Sequence, residues 1–432
     1  MDFQKVKGTR DFYPEDMRLR NWIVDTWRKV SLRNGFEEYD APIFEYLDLF
    51  TIKSGEEIAE QLFSLTDRGG RELAIRPEIT PSLARMVNAK INSLPRPIKW
   101  FSIPRVCRAE RPQRGRLREF FQWNVDVIGE DSVLADAECI FVCADFLREM
   151  GLTPEDAKVR IGSRTLTATA LTEAGVPEAS HPAVLAALDK RPKLDDGDFV
   201  KLAQAAGFDT RQIEIVKRFQ DSPDLKAVTV SLTDSSATEA AVGDLDALWP
   251  QLEEMGVAEY CALDLRIVRG LAYYTGVVYE VIAEGERAVA GGGRYDNLLE
   301  VLGGPKVGAT GFGMGDVVLG LLLEEKAKIP NFVQAPNLGC YVVDADGVEN
   351  TRPAVMRAVG ALRRSGVSAD FSYARRAVGK QLKEANRRGA RYAVLVRSEG
   401  LSIKDLKSGE QVDGIDPGRF NENPKPEEYF DK

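Results

Sequence analysis

Apolar side chains recur every three to four positions through PEDMRLRNWIVDTWRKVSLRN, residues 14 to 34, with Pro14 near the start and Gly35 just past the end. That period predicts an amphipathic helix. Pro42 in YDAPIFEYLDLF biases the residue before it toward extended backbone, and residues 80 to 93 read as a second helix. IKWFSIPRVCRAE (98–110) and EFFQWNVDVIG (119–129) concentrate aromatic and β-branched residues and predict two strands joined by a polar loop. From about 177 to 258 the texture becomes helical and polar, as an inserted domain would. Strand character returns in ALDLRIVRGLAYYTGVVYEVIAEG. GGGRYDNLLEVLGG then predicts a glycine turn with a short helix, and GATGFGMGDVVLGLLLEE a strand, a glycine-rich turn and a helix.

After the proline-punctuated KIPNFVQAPN the pattern is different. LGCYVVDA, 351–365, GVSADFSY, 378–389 and RYAVLVRS alternate strand and helix, which implies a small α/β domain with a largely parallel sheet. Its helices carry Arg357, Arg363, Arg364, Lys380, Lys383, Arg387 and Arg388. The tail from 414 shows no periodicity and is expected to be extended. The expected division is therefore 1–176 and 259–329 as two parts of one core, 177–258 as insertion, 337–413 as the α/β domain and 414–432 as tail.

Composition narrows the chemistry. At 432 residues the chain is longer than one core usually manages. The start lacks an apolar signal region and no run approaches the ~18 apolar residues of a membrane span, so a cytoplasmic location is expected. Five cysteines without CxxC spacing suit a reducing compartment, with no disulfide or zinc expected. His181, the one histidine, leaves no material for an imidazole triad. Chemistry falls to arginines, carboxylates and backbone donors, a set suited to phosphate.

Net charge is −9, yet RVCRAERPQRGRLR (105–118) holds six arginines against Glu110. A run of arginine without lysine suggests planar, bidentate contacts to phosphate or carboxylate. In a hairpin, Arg108 and Glu110 share one face by period two, as do Phe120 and Gln122 on the return strand. Spacing alone is equally compatible with a solvated hairpin. RGLAYYTG, likewise, reads alone as a core strand bearing two tyrosines, although an arginine beside such a core would be costly to bury unpaired, about 3–5 kcal/mol.

Six segments taken together, KGTRDFYPED, APIFE, IRPEITPSLAR, RAERPQRGRLREFFQ, RGLAYYTG and AGGGRYDNL, resemble the histidyl-tRNA synthetase family in order, over residues 3 to 410. The resemblance implies an α+β fold: a class II synthetase antiparallel sheet as catalytic core, with helical insertion and a small α/β anticodon-binding domain. It implies ATP and histidine as substrates, magnesium on the outer phosphates, tRNA as acceptor and a homodimer built through Pro42 and Glu45. Arg108 matches the arginine on the α-phosphate, Glu110 the reader of the adenine amino edge, Arg116 an arginine on the distal phosphates and Phe120 the ring under the base. Glu78 and Thr80 match the ammonium site, with Gln122 and Asp126 completing the polar pocket. Arg269 matches the guanidinium that serves α-phosphate and substrate carboxylate, and Tyr273 and Tyr274 the imidazole pocket. Arg114 and the basic C-terminal helices would meet tRNA.

Three positions depart from the family pattern. Val318 stands where the third motif has an arginine over the adenine, with Asp316 and Val317 before it; Asp126 replaces a glutamate, and Ala272 an aspartate. These departures leave a second reading open, a synthetase-like regulatory subunit of ATP phosphoribosyltransferase that binds histidine without aminoacylating anything.

Overall fold

Runs of aromatic and β-branched residues become strands, and period-two alternation decides which face of each is buried. The computed structural model describes residues 3–52, 62–191, 194–232, 235–269, 273–283, 288–346 and 351–430. The chain divides into two compact units, residues 1–12 with 20–328 and residues 13–19 with 329–432.

The strands of the first unit are β1 (Glu37–Glu38), β2 (Phe44–Tyr46), β3 (Phe63–Thr66), β4 (Glu72–Ile75), β5 (Ile98–Ser102), β6 (Arg105–Cys107), β7 (Glu119–Ile128), β8 (Lys158–Ser163), β9 (Cys261–Leu263), β10 (Val277–Ile282), β11 (Ala290–Arg294) and β12 (Ala309–Gly315). Among the described residues nine of them join in one sheet ordered β1-β5-β7-β12-β11-β10-β8-β9, with β6 also on β7. Pairing is antiparallel throughout the middle and parallel only at the two edges, β1 with β5 and β8 with β9. A separate three-stranded sheet runs β2-β4-β3.

Strand β7 sets the layout. Trp123, Val125 and Val127 point to one side and are buried. There Trp123 stacks on Trp27 with ring centroids 6.1 Å apart, meets Phe146 at 5.2 Å, and donates Nε1–H to Ser31 Oγ at 2.9 Å. A ring of ~200 Å² buried at ~25 cal/mol/Å² contributes about 5 kcal/mol of transfer free energy before entropy is charged against it. The opposite face of β7 carries Phe120, Gln122, Asn124 and Asp126, a polar row on a central strand, where burial is unfavourable without partners.

Among the described residues, the regular elements between Arg164 and Glu254 are all helices. The one histidine, His181, starts the helix His181–Lys190 and lies buried with Nε2 3.1 Å from the Val176 carbonyl. Two glycine segments differ from expectation. AGGGR forms β11 and ATGFGMG forms β12, passing directly into the helix Asp316–Glu325, where turns were expected. Glycine ordinarily signals a turn; here its missing side chain is what the sheet requires.

The second unit contains β13 (Leu338–Asp344), β14 (Ala369–Phe371), β15 (Ala390–Arg397), β16 (Gly400–Asp405) and β17 (Gln411–Ile415), in the order β14-β13-β15-β16-β17. The first three are parallel, as the βαβαβ pattern predicts, with the helices Arg352–Arg364 and Val378–Arg387 between them. β16 and β17 add an antiparallel edge that the expected sheet lacked. The tail is not extended: Asp416 caps the helix Pro417–Glu422 by accepting from the Arg419 amide at 2.8 Å, and Phe420 is fully buried. Six residues are too few to show a helical period.

Candidate active site

The polar row of β7 forms one wall of a cavity of about 820 Å³. Its floor is open because the facing strands carry glycine. Gly311 and Gly313 of β12 lie opposite Asp126 and Asn124, and a Cβ at Gly313 would stand 2.3 Å from Gln122 Nε2. A Cβ at Gly291 of β11 would stand 2.3 Å from the Arg269 guanidinium. Any other residue at these positions would push the functional groups out of the cavity.

At one end two carboxylates are held among tyrosines. Tyr273 donates to Glu78 Oε2 at 3.0 Å, and Tyr295 donates to Asp126 Oδ1 at 2.6 Å. The Tyr273 ring lies 5.0 Å from Tyr274 and 5.9 Å, edge on, from Tyr295. Burial pushes Asp126 up to about 7, reinforced by the charge of Glu78 and opposed by the Tyr295 hydroxyl. Burial raises Glu78 as well, against the pull of Arg108 and the Tyr273 hydrogen bond. Glu78 Oε1, Asp126 Oδ2, Gln122 Oε1 and Asn124 Oδ1 are buried and find no protein partner among the described residues. Four acceptors converging at one end fit a ligand rich in N–H donors, such as an amino acid's ammonium and ring nitrogens. Thr80, at the start of the helix Thr80–Lys90, lines the same end.

Arg269 occupies the middle. Its φ of 57° is in the left-handed region, which costs a non-glycine residue on the order of 1–2 kcal/mol. Arg164 steadies that backbone by donating Nη1–H to the Arg269 carbonyl at 2.9 Å. The guanidinium pairs with Glu280 of β10 and lies 5.9 Å from the Tyr274 ring centroid. Burial alone would lower its pKa, but Tyr274 and Glu280 together raise it, so Arg269 is a permanent cation inside the cavity.

The other end belongs to the arginine hairpin. β6 stops at Cys107, so Arg108 and Glu110 follow the strand instead of sharing its face, as period two had suggested; both still line the cavity. Arg108 donates Nε–H to the Pro77 carbonyl at 3.0 Å, with its guanidinium 5.2 Å from the Phe120 ring centroid. Arg116 reaches back and grips Glu110 through two N–H groups. Val317 and Val318 line the cavity beside this end, whereas Asp316 turns away from it.

All eleven residues singled out from sequence, Glu78, Thr80, Arg108, Glu110, Arg116, Phe120, Gln122, Asp126, Arg269, Tyr273 and Tyr274, border this one cavity. Pro42 and Glu45 lie apart from it, Glu45 on β2 with Arg85 Nη2 at 2.5 Å. Ala272 falls outside the described residues. Sequence reasoning missed Glu280, Tyr295 and Asn124. The glutamate inside VVYEVI was the available signal for the first, being a charge in an otherwise apolar strand; nothing local marks the other two.

A broad antiparallel sheet whose cavity has arginines at one end and buried carboxylates at the other defines a catalytic core of the class II aminoacyl-tRNA synthetases. Residues 8–315 match the histidyl-tRNA synthetase family and residues 340–415 the anticodon binding domain. A histidine–tRNA ligase of Opitutus terrae is 41% identical over 95% of both chains. The chloroplastic and mitochondrial histidine–tRNA ligase of Arabidopsis thaliana is 39% identical over 95% of this chain and 85% of its own. The solved histidyl-tRNA synthetase of Nostoc sp. shares the fold, with a TM-score of 0.81, 24% identity and 98% of each chain covered. The chain belongs to the histidyl-tRNA synthetase family.

Proposed function

We propose that the cavity joins histidine to the 3′ end of its tRNA in two steps. An oxygen of the histidine carboxylate attacks the α-phosphorus of ATP and pyrophosphate leaves, giving histidyl-adenylate. A ribose hydroxyl of the tRNA then attacks the histidyl carbonyl and AMP leaves. Arg108 and Arg269 stabilise the charge gathered at the α-phosphate, and no protein nucleophile is needed. Glu78 and Thr80 receive the ammonium group, Gln122 and Asp126 complete the polar pocket, and Tyr273 and Tyr274 flank the imidazole. Glu110 reads the adenine amino edge, Arg116 meets the distal phosphates, and Phe120 lies under the base. Magnesium arrives with ATP, as the counter-ion of its outer phosphates.

The observation that carries this reading is the division of the cavity into an acidic end with four unpaired buried oxygens and a cationic end with Arg108 and Arg116, with Arg269 between them. A neutral binding module would have no use for such polarity. The anticodon binding domain match at 340–415 favours tRNA aminoacylation over the regulatory-subunit reading.

Residues 177–258 serve as the insertion, from which Asp189 reaches the cavity wall. Exposed Arg114 at the hairpin tip and the exposed basic residues of Arg352–Arg364 and Val378–Arg387 contact tRNA phosphates. Ile43, Phe44, Tyr46 and Leu65 are exposed on and beside the small sheet β2-β4-β3, an apolar face that supports a homodimer through the Pro42 and Glu45 segment. Among the described residues no helix is long and apolar enough to cross a membrane, in keeping with a cytoplasmic enzyme.

The test is ATP–pyrophosphate exchange with each of the twenty amino acids offered singly. Exchange with histidine alone is expected. Silence with all twenty, from folded protein that still binds histidine, would transfer the reading to the regulatory subunit.

A further inference from the structure

We infer that Asp316 and Arg10 are positioning residues for the nucleotide, fixing the Phe120 ring from behind the sheet. This rests on the proposed seat of adenine on Phe120.

Asp316 is a buried carboxylate outside the cavity, and both of its oxygens are engaged. Oδ1 accepts from the Phe121 amide at 2.9 Å, and Oδ2 pairs with Arg10 Nη2 at 2.7 Å. The amide it holds follows Phe120 directly, so a shift of that peptide moves the Phe120 ring and with it the seat of Arg108, whose guanidinium lies over that ring. Asp316 also begins the helix whose next two residues, Val317 and Val318, face the cavity. One carboxylate thus ties together the two walls that meet at the nucleotide end, β7 and this helix.

Arg10 extends the tie to the N-terminal segment. Its guanidinium lies 4.7 Å from the Phe12 ring centroid, and Phe12 packs edge on against Phe121 at 6.1 Å. Two residues earlier, the Gly8 carbonyl accepts from the Arg118 amide at 2.8 Å on the return arm of the arginine hairpin. Arg20 and Arg105 cover Phe121, each with its guanidinium 4.8 Å from the ring centroid. Residues 8–12 therefore strap the back of the hairpin whose front faces the cavity. In this chain the cation of the third motif is absent from Val318; one is found behind the sheet, acting on the base through the position of Phe120.

The experiment is steady-state ATP–pyrophosphate exchange on the full-length chain, with KM for ATP and for histidine measured separately for Asp316→Asn, Asp316→Ala, Arg10→Gln and the Asp316→Asn/Arg10→Gln pair. Loss of both bonds in Asp316→Ala is expected to raise KM for ATP about tenfold. Asp316→Asn, which keeps an oxygen for the Phe121 amide, raises it roughly threefold. The double variant is no worse than its worse parent, because the two residues form one interaction. KM for histidine stays within about twofold throughout, a split that general loosening of the core would not produce. Should Asp316→Ala fail to fold, Asp316→Asn and Arg10→Gln decide the matter. KM for ATP unchanged in those two, or KM for histidine rising in parallel, overturns the inference. Phe120→Ala separates the nucleotide seat from its support. If it leaves KM for ATP unchanged, the nucleotide seat itself is misassigned; if it raises KM while the Asp316 and Arg10 variants do not, only the positioning role fails.

Discussion

Replacing Gly313 by alanine adds one methyl group to the cavity floor, 2.3 Å from Gln122 Nε2 and 2.9 Å from its Cδ. Comfortable contact begins near 3.4 Å, so the carboxamide must retreat by about 1.1 Å. The obstacle is the far end of a flexible side chain, so the sheet absorbs the change at roughly 1 kcal/mol. Function is far less tolerant. The displaced amide forfeits a hydrogen bond worth about 1–1.5 kcal/mol, and misplacement of a substrate by ~1 Å costs up to 10²-fold. The expected result is a 10- to 100-fold fall in kcat/KM for histidine in pyrophosphate exchange, with KM for ATP changed less than about threefold. Far-UV circular dichroism and the melting temperature of Gly313→Ala verify the fold, and Gly320→Ala, a helical site with nothing within 4 Å, controls for the substitution itself. A Gly313→Ala enzyme with wild-type kcat/KM for histidine would refute the idea that this glycine holds the space for Gln122.

Arg269→Ala should abolish exchange and cost about 3–5 kcal/mol of stability, since Glu280 is left unpaired; Arg269→Ala/Glu280→Gln should regain much of the stability in denaturant titrations but none of the activity. Asp126 has a folded pKa of about 7 against an ordinary 3.8, so the folded chain holds this proton more tightly than the unfolded one. The associated stabilisation is complete below pH ~4 and is lost as pH rises toward 7, and Asp126→Asn should flatten that limb of the unfolding free energy measured from pH 4 to 8. If the proposed homodimer forms through the β2 segment, Phe44→Glu, placing a charge on the exposed face of β2, should shift sedimentation from dimer to monomer with the circular dichroism spectrum preserved; an unchanged dimer would move the interface elsewhere, and a monomeric wild type would overturn the proposed pairing.

Much of the architecture could be read in the sequence because two periods carry it. The 3.6-residue repeat places Trp27 and Val30 inward on the first helix, and the two-residue repeat separates Trp123 and Val125 from Gln122 and Asn124 on β7. The cavity arginines and the twin tyrosines were legible through segments with fixed order. What escaped was whatever depends on a neighbouring strand. Gly291 and Gly313 look like turn residues until β11 and β12 are paired and the Arg269 and Gln122 side chains occupy the room they leave. Glu280 and Tyr295 become site residues only when β10 and the segment after β11 bring them to Arg269 and Asp126. The hairpin of β16 and β17 and the helix Pro417–Glu422 are too short to declare a period, and their stability comes from burying Ile415 and Phe420 against the rest of the second unit.

The grip of Arg116 on Glu110 acts as a lock with two wards. With these residues in their proposed roles, a nucleotide has to separate the pair, drawing the guanidinium toward its phosphates while presenting an amino group to the released carboxylate. A free nucleoside supplies only the second, and pyrophosphate only the first, so either one leaves a half-buried charge stranded. GTP brings the phosphates but offers an oxygen where the glutamate needs a donor. Discrimination between purines is thereby tied to the triphosphate itself: the base is inspected only as the phosphates arrive.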